Sequence, residues 1–96
     1  LDDWRMVHDA LHVRYTTPSY RAGLDLVARV GDAAEAANHH PDLDLRYGYL
    51  DVRLSSHDVG GVTRRDVDLA RTISGLATAV GADAAPPAGP VDEAPS

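Results

Sequence analysis

The sequence predicts an α+β fold, a two-layer β-β-α-β-β-α domain in which a four-stranded antiparallel sheet is covered on one face by helices. Two observations support this prediction. Short runs of alternating apolar residues occur in two pairs, as the strands of antiparallel hairpins do. Each pair is followed by a longer segment whose apolar residues recur every three or four positions, which is the spacing of one helix face.

The predicted strands form two hairpins. The first joins an apolar run from Trp4 to Val7 to an alternating run from Leu11 to Tyr15. In the second, the apolar residues alternate in one phase from Leu43 to Tyr47 and in the opposite phase from Leu50 to Leu54. Because side chains of a strand alternate between its two faces, this change of phase places a turn at Gly48.

Capping residues mark the two helices. The first helix is expected to begin at Ser19 or Thr17, whose hydroxyls can accept from unpaired backbone N–H groups. It ends near residue 38, because Pro41 forbids its continuation. The second begins at Thr63, and Asp66 stands three residues later, which is a variant of the capping box.

Residues 1–80 are predicted to form the domain, and residues 81–96 to form a disordered Ala/Pro-rich tail or linker. Four of the six prolines lie in the second segment, which cannot bury enough apolar surface to offset the entropy of ordering it. A domain of this size buries only about 60–65% of the surface of its unfolded chain. We therefore expect it to associate into a homodimer or homotetramer.

Composition argues against several classes of function. The formal net charge is −6, and no basic face of the kind that binds nucleic acid is evident. The absence of cysteine excludes disulfides, thiol nucleophiles and zinc sites built on cysteine. No apolar run approaches the roughly 20 residues that a membrane-spanning helix needs. The expectation is a cytoplasmic protein that binds neither nucleic acid nor membranes.

The adjacent residues His39 and His40, followed by Pro41, are the most informative for function. Histidine gives and takes protons near neutrality, because its unperturbed pKa is about 6.5. Glu35 lies four residues before His39 on the same helical face, where its carboxylate would orient the imidazole. The same residues would also suit a helix end at which they only complement the terminal carbonyls. Spacing alone leaves both interpretations open.

Two further candidates lie in the second half of the chain. His57 follows the last predicted strand, where functional loops commonly begin, although a histidine at a strand end is more often structural. Asp66 is explained by helix capping alone. Three histidines and Glu35 could together bind zinc, but the spacing H-E-x-x-H is absent, and no metal site is expected.

Taken together, these motifs resemble the pterin-4a-carbinolamine dehydratases, also called 4a-hydroxytetrahydrobiopterin dehydratases. That family has an acid, three residues and then His-His-Pro, which corresponds here to Glu35 and residues 39–41. Its second hairpin ends in Leu-Ser-Thr/Ser-His, as residues 54–57 do, and its last helix opens with Arg-Asp-x-x-Leu-Ala, as residues 65–70 do. The resemblance extends from about Trp4 to Val80. One departure is Leu43, which stands where the family usually has an aromatic residue.

The resemblance implies dehydration of 4a-hydroxytetrahydropterin to quinonoid dihydropterin by histidine acid/base catalysis, without a metal or organic cofactor. It implies that His40 and His57 are the acid and base around the departing hydroxyl, with His39 assisting. Asp66 would hold a neighbouring histidine or the loop. The residues expected to orient the histidines, or to bind the flat pterin edge through backbone groups, are Glu35, Pro41, Ser56, Asp58 and Val59.

The alternative is a non-catalytic, dehydratase-like module for binding, dimerisation or assembly, as one domain of a longer fusion protein. Leu43 favours this alternative, whereas retention of three histidines and two acids favours the enzyme. Catalysis by all three imidazoles requires them to converge on one open cleft large enough for a bicyclic ring. Imidazoles that point to separate surfaces would rule out the enzyme interpretation.

Overall fold

The computed structural model describes residues 2–85 as an antiparallel sheet with two helices packed against one face. The predicted fold class and the order of the first six elements are confirmed. In chain order the elements are β1 (Arg5–Val7), β2 (Ala10–Thr16), α1 (Tyr20–Ala37), β3 (Asp42–Arg46), β4 (Tyr49–Leu54), α2 (Arg64–Ala79) and β5 (Asp83–Ala84).

The sheet has five strands and not the predicted four. Its order is β1-β2-β4-β3, and β5 pairs with the end of β2, with Tyr15 opposite Ala84. Gly81, at a φ of +79°, turns the chain back after α2, and the backbone N–H of Ala85 donates to the carbonyl of Arg14 at 2.8 Å. Part of the segment predicted as a tail therefore belongs to the sheet. The rest of that segment, residues 86–96, lies outside the described residues.

Both helices begin at the hydroxyl caps that the sequence indicated. Ser19 Oγ accepts from the backbone N–H of Ala22 at 3.0 Å, and Thr63 caps α2 in a full capping box with Asp66. Asn38 ends α1 in the left-handed conformation, with a φ of +50°. Neither helix in the described part of the chain is long and apolar enough to span a membrane.

The core lies between the sheet and the helices. Both helices bury one face against the inward side chains of β2 and β4, and burial of each large aliphatic side chain contributes about 1.5–3 kcal/mol. This packing holds α1 and α2 side by side on one face of the sheet. The apolar residues that are at most 2% exposed are Ala10, Tyr15, Leu50, Val52 and Leu54 in the sheet, Leu26, Val30 and Ala34 in α1, and Ala70, Ile73 and Ala77 in α2.

Candidate functional site

A buried contact between His39 and Asp66 forms the centre of the candidate site. Nε2 of His39 lies 2.5 Å from Oδ1 of Asp66, and the two side chains are 10% and 0% exposed. His39 follows the end of α1, and Asp66 stands in the first turn of α2. The pair therefore joins the ends of the two helices.

Asp66 accepts hydrogen bonds on both of its carboxylate oxygens. Its Oδ2 accepts from Ser56 Oγ at 2.7 Å and from the backbone N–H of Thr63 at 2.8 Å, while Oδ1 faces His39. Burial by itself would raise the pKa of Asp66, but the hydrogen bonds from His39, Ser56 and Thr63 outweigh it and hold that pKa below its usual value. The positive end of the α2 dipole favours the same ionised form. Asp66 is thus a carboxylate at neutral pH.

His39 also lines a cleft of about 480 Å³ between α1 and α2. This volume lies in the range of small-molecule sites, roughly 300–1,000 Å³. Nε2 of His39 is occupied by Asp66, and Nδ1 makes no hydrogen bond within residues 2–85. An imidazole held by a carboxylate at one nitrogen can exchange a proton at the other. The other residues that line the cleft are Ala33, Ala36 and Ala37 of α1 and Arg65, Asp68, Leu69 and Thr72 of α2.

Glu35 contacts His40 and not His39, which corrects the predicted pairing. Oε2 of Glu35 lies 2.6 Å from Nε2 of His40, and the side chains are 77% and 57% exposed. The reason lies at Asn38, where the left-handed backbone ends the helix and turns the following residue away from its face. Exposed ion pairs of this kind contribute about 0–1 kcal/mol. Pro41 follows His40 and leads into β3.

His57 is exposed in a turn between β4 and α2. At the base of this turn the backbone N–H of Ser56 donates to the carbonyl of Gly61 at 2.7 Å. Asp58 accepts from Arg65 at 2.7 Å, which ties the turn to a residue of the cleft. The side chain of Val59 is 61% exposed. The turn is therefore fixed at its base and at Asp58, near the start of α2.

The cleft between α1 and α2 does not bring all three imidazoles together. His39 lines the cleft between α1 and α2, whereas His40 and His57 do not. Leu43 is not a cleft residue either, because it packs against the core from β3. Leu43, where the sequence departs from the family pattern, therefore belongs to the packing between the sheet and the helices and not to the wall of this cleft.

Sequence reasoning missed the α2 side of the cleft. Arg65, Asp68 and Thr72 stand three and four positions apart, so they share one face of the helix. The spacing indicates one polar helix face, but only the position of His39 beside that face shows that it lines a cleft. Within residues 2–85, no group of three or more histidine or acidic side chains is arranged to hold a metal ion.

Comparison with known sequences identifies the family. Residues 1–76 match the family model described as "Pterin 4 alpha carbinolamine dehydratase". A protein of Nocardia farcinica is 46% identical over 77 residues, which cover 80% of this chain and 81% of that protein. A protein of Thermosynechococcus vestitus is 43% identical over 77 residues, with the same shares covered. Both carry the name "Putative pterin-4-alpha-carbinolamine dehydratase".

Comparison with solved structures agrees with the comparison of sequences. The crystal structure of a protein from Brucella melitensis described as "transcriptional coactivator/pterin dehydratase" matches with a TM-score of 0.77 and 29% identity, covering 80% of this chain and 84% of that one. A "pterin dehydratase-like protein" described as a RuBisCO assembly factor matches with a TM-score of 0.65 and 16% identity, covering 77% and 86%, and shows a shared fold alone. Because residues 1–76 match the family model and two relatives are more than 40% identical, the chain belongs to the pterin-4α-carbinolamine dehydratase family.

Proposed function

We propose that the protein dehydrates 4a-hydroxytetrahydropterin to quinonoid dihydropterin, with His39 as a proton-exchanging group. The observation that carries this proposal is the buried pair of His39 and Asp66, of which His39 lines a cleft of about 480 Å³. Family membership supplies the class of substrate. The pair supplies a group of the kind that this reaction needs.

The reaction removes one water molecule from the substrate. The bond between C4a and its hydroxyl oxygen breaks, N5 loses its proton, and a double bond forms between C4a and N5. The departing oxygen must gain a proton to leave as water. A base at N5 and an acid at the hydroxyl each contribute typically 10²–10⁴-fold when they are well positioned.

In this proposal His39 is the base. Asp66 accepts a hydrogen bond from the Nε2–H group, so the neutral ring carries its lone pair on Nδ1. Nδ1 takes the proton from N5, and the ionised Asp66 stabilises the imidazolium that forms. Because both side chains are nearly excluded from water, this stabilisation is stronger than it would be at the surface.

The scheme also needs an acid for the departing oxygen, and the candidates are His40 and His57, which would have to reach the substrate from outside the lining of the cleft. Both are exposed, and His40 is held by Glu35 at 2.6 Å. This reverses part of the expectation from the sequence, in which His39 only assisted. The burial of His39 and its ionised partner favour the assignment made here.

A dehydratase assay with chemically generated 4a-hydroxytetrahydropterin tests the proposal against the spontaneous reaction. We expect the wild type to accelerate dehydration and His39→Gln to lose about 10²–10⁴-fold of that acceleration. Glutamine can still donate to Asp66 but cannot act as a base. His12→Gln is the matched control, because His12 is half-buried on the other face of the sheet. His40→Ala and His57→Ala identify the acid.

Wild-type protein that does not accelerate the reaction would refute the proposal. Full activity in His39→Gln would refute only the role assigned to His39 and not the dehydratase activity. A non-catalytic binding module is the second candidate, and it is favoured by the position of His40 and His57 outside the cleft. That candidate predicts pterin binding in calorimetry without turnover.

A further inference from the structure

We propose that Ser56 is a positioning residue of this site. Its hydroxyl, backed by that of Thr63, holds the carboxylate of Asp66 in the orientation that receives Nε2 of His39 and leaves Nδ1 free for proton exchange. The proton exchange rests on the proposed function, whereas the hydrogen-bond arrangement can be tested without turnover. From the sequence, Ser56 was expected to act through its backbone on the pterin.

The hydroxyl groups in this cluster all donate their hydrogen bonds toward Asp66. Ser56 Oγ lies 2.7 Å from Oδ2 of Asp66, and an ionised carboxylate can only accept, so Ser56 donates to it. Ser56 Oγ is also 2.9 Å from Thr63 Oγ1. Thr63 Oγ1 also lies 3.5 Å from Oδ2 of Asp66. Because the single hydroxyl proton of Ser56 is directed at Asp66, Thr63 must be the donor in its shorter contact with Ser56. The donors then run from Thr63 to Ser56 to Asp66, and His39 donates to Asp66 from the opposite side.

Ser56 is itself held in place by backbone contacts. It is 1% exposed, and its backbone N–H donates to the carbonyl of Gly61 at 2.7 Å, while the N–H of Gly61 returns a bond at 3.3 Å. A hydroxyl on this fixed bridge has little freedom to move away from Asp66. The carboxylate therefore receives two close donors on Oδ2, from Ser56 and from the backbone of Thr63, while the hydroxyl of Thr63 lies farther away at 3.5 Å. Two donors on one oxygen limit rotation of the carboxylate and keep Oδ1 directed at His39.

The neighbouring Ser55 provides a matched control. It is half-buried, and its side chain makes no hydrogen bond within residues 2–85. Ser55→Ala removes the same hydroxyl group one residue away from the cluster. Ser56→Thr keeps the hydroxyl and serves as the conservative variant. Circular dichroism of each variant establishes that it is folded before the comparison is made.

The first readout is the pH titration of the Asp66 side-chain carboxyl by ¹³C NMR. Loss of one donor to the ionised form should raise the midpoint by about one pH unit in Ser56→Ala. Ser55→Ala should leave it unchanged, and Ser56→Thr should restore the wild-type value. Equal midpoints in Ser56→Ala and Ser55→Ala would overturn the proposal. This result is independent of whether the protein turns over a pterin.

The second readout is a double-mutant cycle in the dehydratase assay. Ser56→Ala should lower kcat about tenfold with KM nearly unchanged, because Ser56 acts through Asp66 and not on the substrate. In a His39→Gln background the same substitution should have no further effect, since the group through which it acts is gone. An equal loss of kcat in both backgrounds would show a general structural effect and overturn the proposal.

Discussion

Replacement of Asp66 by Asn should remove most of the dehydratase activity while the fold persists. The amide oxygen of Asn can still accept from Ser56 and from the backbone of Thr63, which occupy Oδ2. The amide nitrogen then faces His39, and it can only donate. Nε2 of His39 must become an acceptor, so its proton moves to Nδ1. A ring in this tautomer has no lone pair on Nδ1 with which to take the proton from N5.

The magnitudes follow from the contacts of Asp66. Hydrogen bonds to a charged group contribute about 1.5–3 kcal/mol and neutral ones about 0.5–1.5 kcal/mol. Three bonds of 2.5, 2.7 and 2.8 Å would each lose about 1 kcal/mol. Removal of a fully buried charge offsets part of this loss, which leaves a net destabilisation of about 1–2 kcal/mol. Small domains are stable by about 5–15 kcal/mol, so the variant should still fold. The activity loss should be about 10²–10⁴-fold.

Two measurements check this prediction. Urea denaturation gives the change in the free energy of unfolding, and kcat/KM for 4a-hydroxytetrahydropterin gives the loss of activity. Asp32→Asn is the control, because Asp32 is exposed on α1 and does not line the cleft. Turnover by Asp66→Asn within twofold of wild type would refute the reasoning about the tautomer of His39.

Three further predictions concern the fold. Gly31 and Gly75 lie inside helices, and no atom of a neighbouring element lies within 4 Å of a Cβ added at either position. Gly31→Ala and Gly75→Ala should therefore each raise the free energy of unfolding, measured in urea, by about 0.5–1 kcal/mol. A decrease would contradict this. Gly81→Ala should lower it by about 1 kcal/mol, because the φ of +79° strains any L side chain, and an unchanged midpoint would count against that strain. Burial alone would raise the pKa of Asp3, but hydrogen bonds from two hydroxyls outweigh it and hold that pKa below its usual value. The stability due to Asp3 is then full above about pH 4 and is lost as the pH falls through the folded-state pKa, so Asp3→Asn should flatten the acid limb of the unfolding curve.

The elements that could be predicted are those with a strong local signal. The capping hydroxyls of Ser19 and Thr63 and the change of alternation at Gly48 depend on neighbouring residues alone, and the structure confirms each. The strand β5 (Asp83–Ala84) has no such signal, because two residues are too few to show alternation. Its place in the sheet depends on β2, which lies nearly seventy residues earlier in the chain.

The candidate site was predictable in composition but not in its contacts. Spacing by four residues suggested that Glu35 orients His39, yet the left-handed Asn38 between them redirects the chain. Asparagine tolerates that conformation better than most residues, so the signal was present but was not used. Asp66 could be identified from the capping box, but its contact with His39 spans 27 positions and depends on how the two helices pack. The same holds for the buried hydroxyl of Ser56.

Asp66 serves both as a cap of α2 and as the partner of His39, and this explains how so small a domain can retain a fully buried charge. A carboxylate removed from water is strongly destabilising unless several donors meet it. The capping box already brings the backbone N–H of Thr63 to that position, because the first turn of a helix leaves such groups unpaired. Ser56 and His39 then add two more donors. The helix cap and the candidate site therefore share one carboxylate, and any change that displaces the start of α2 must also displace the partner of His39.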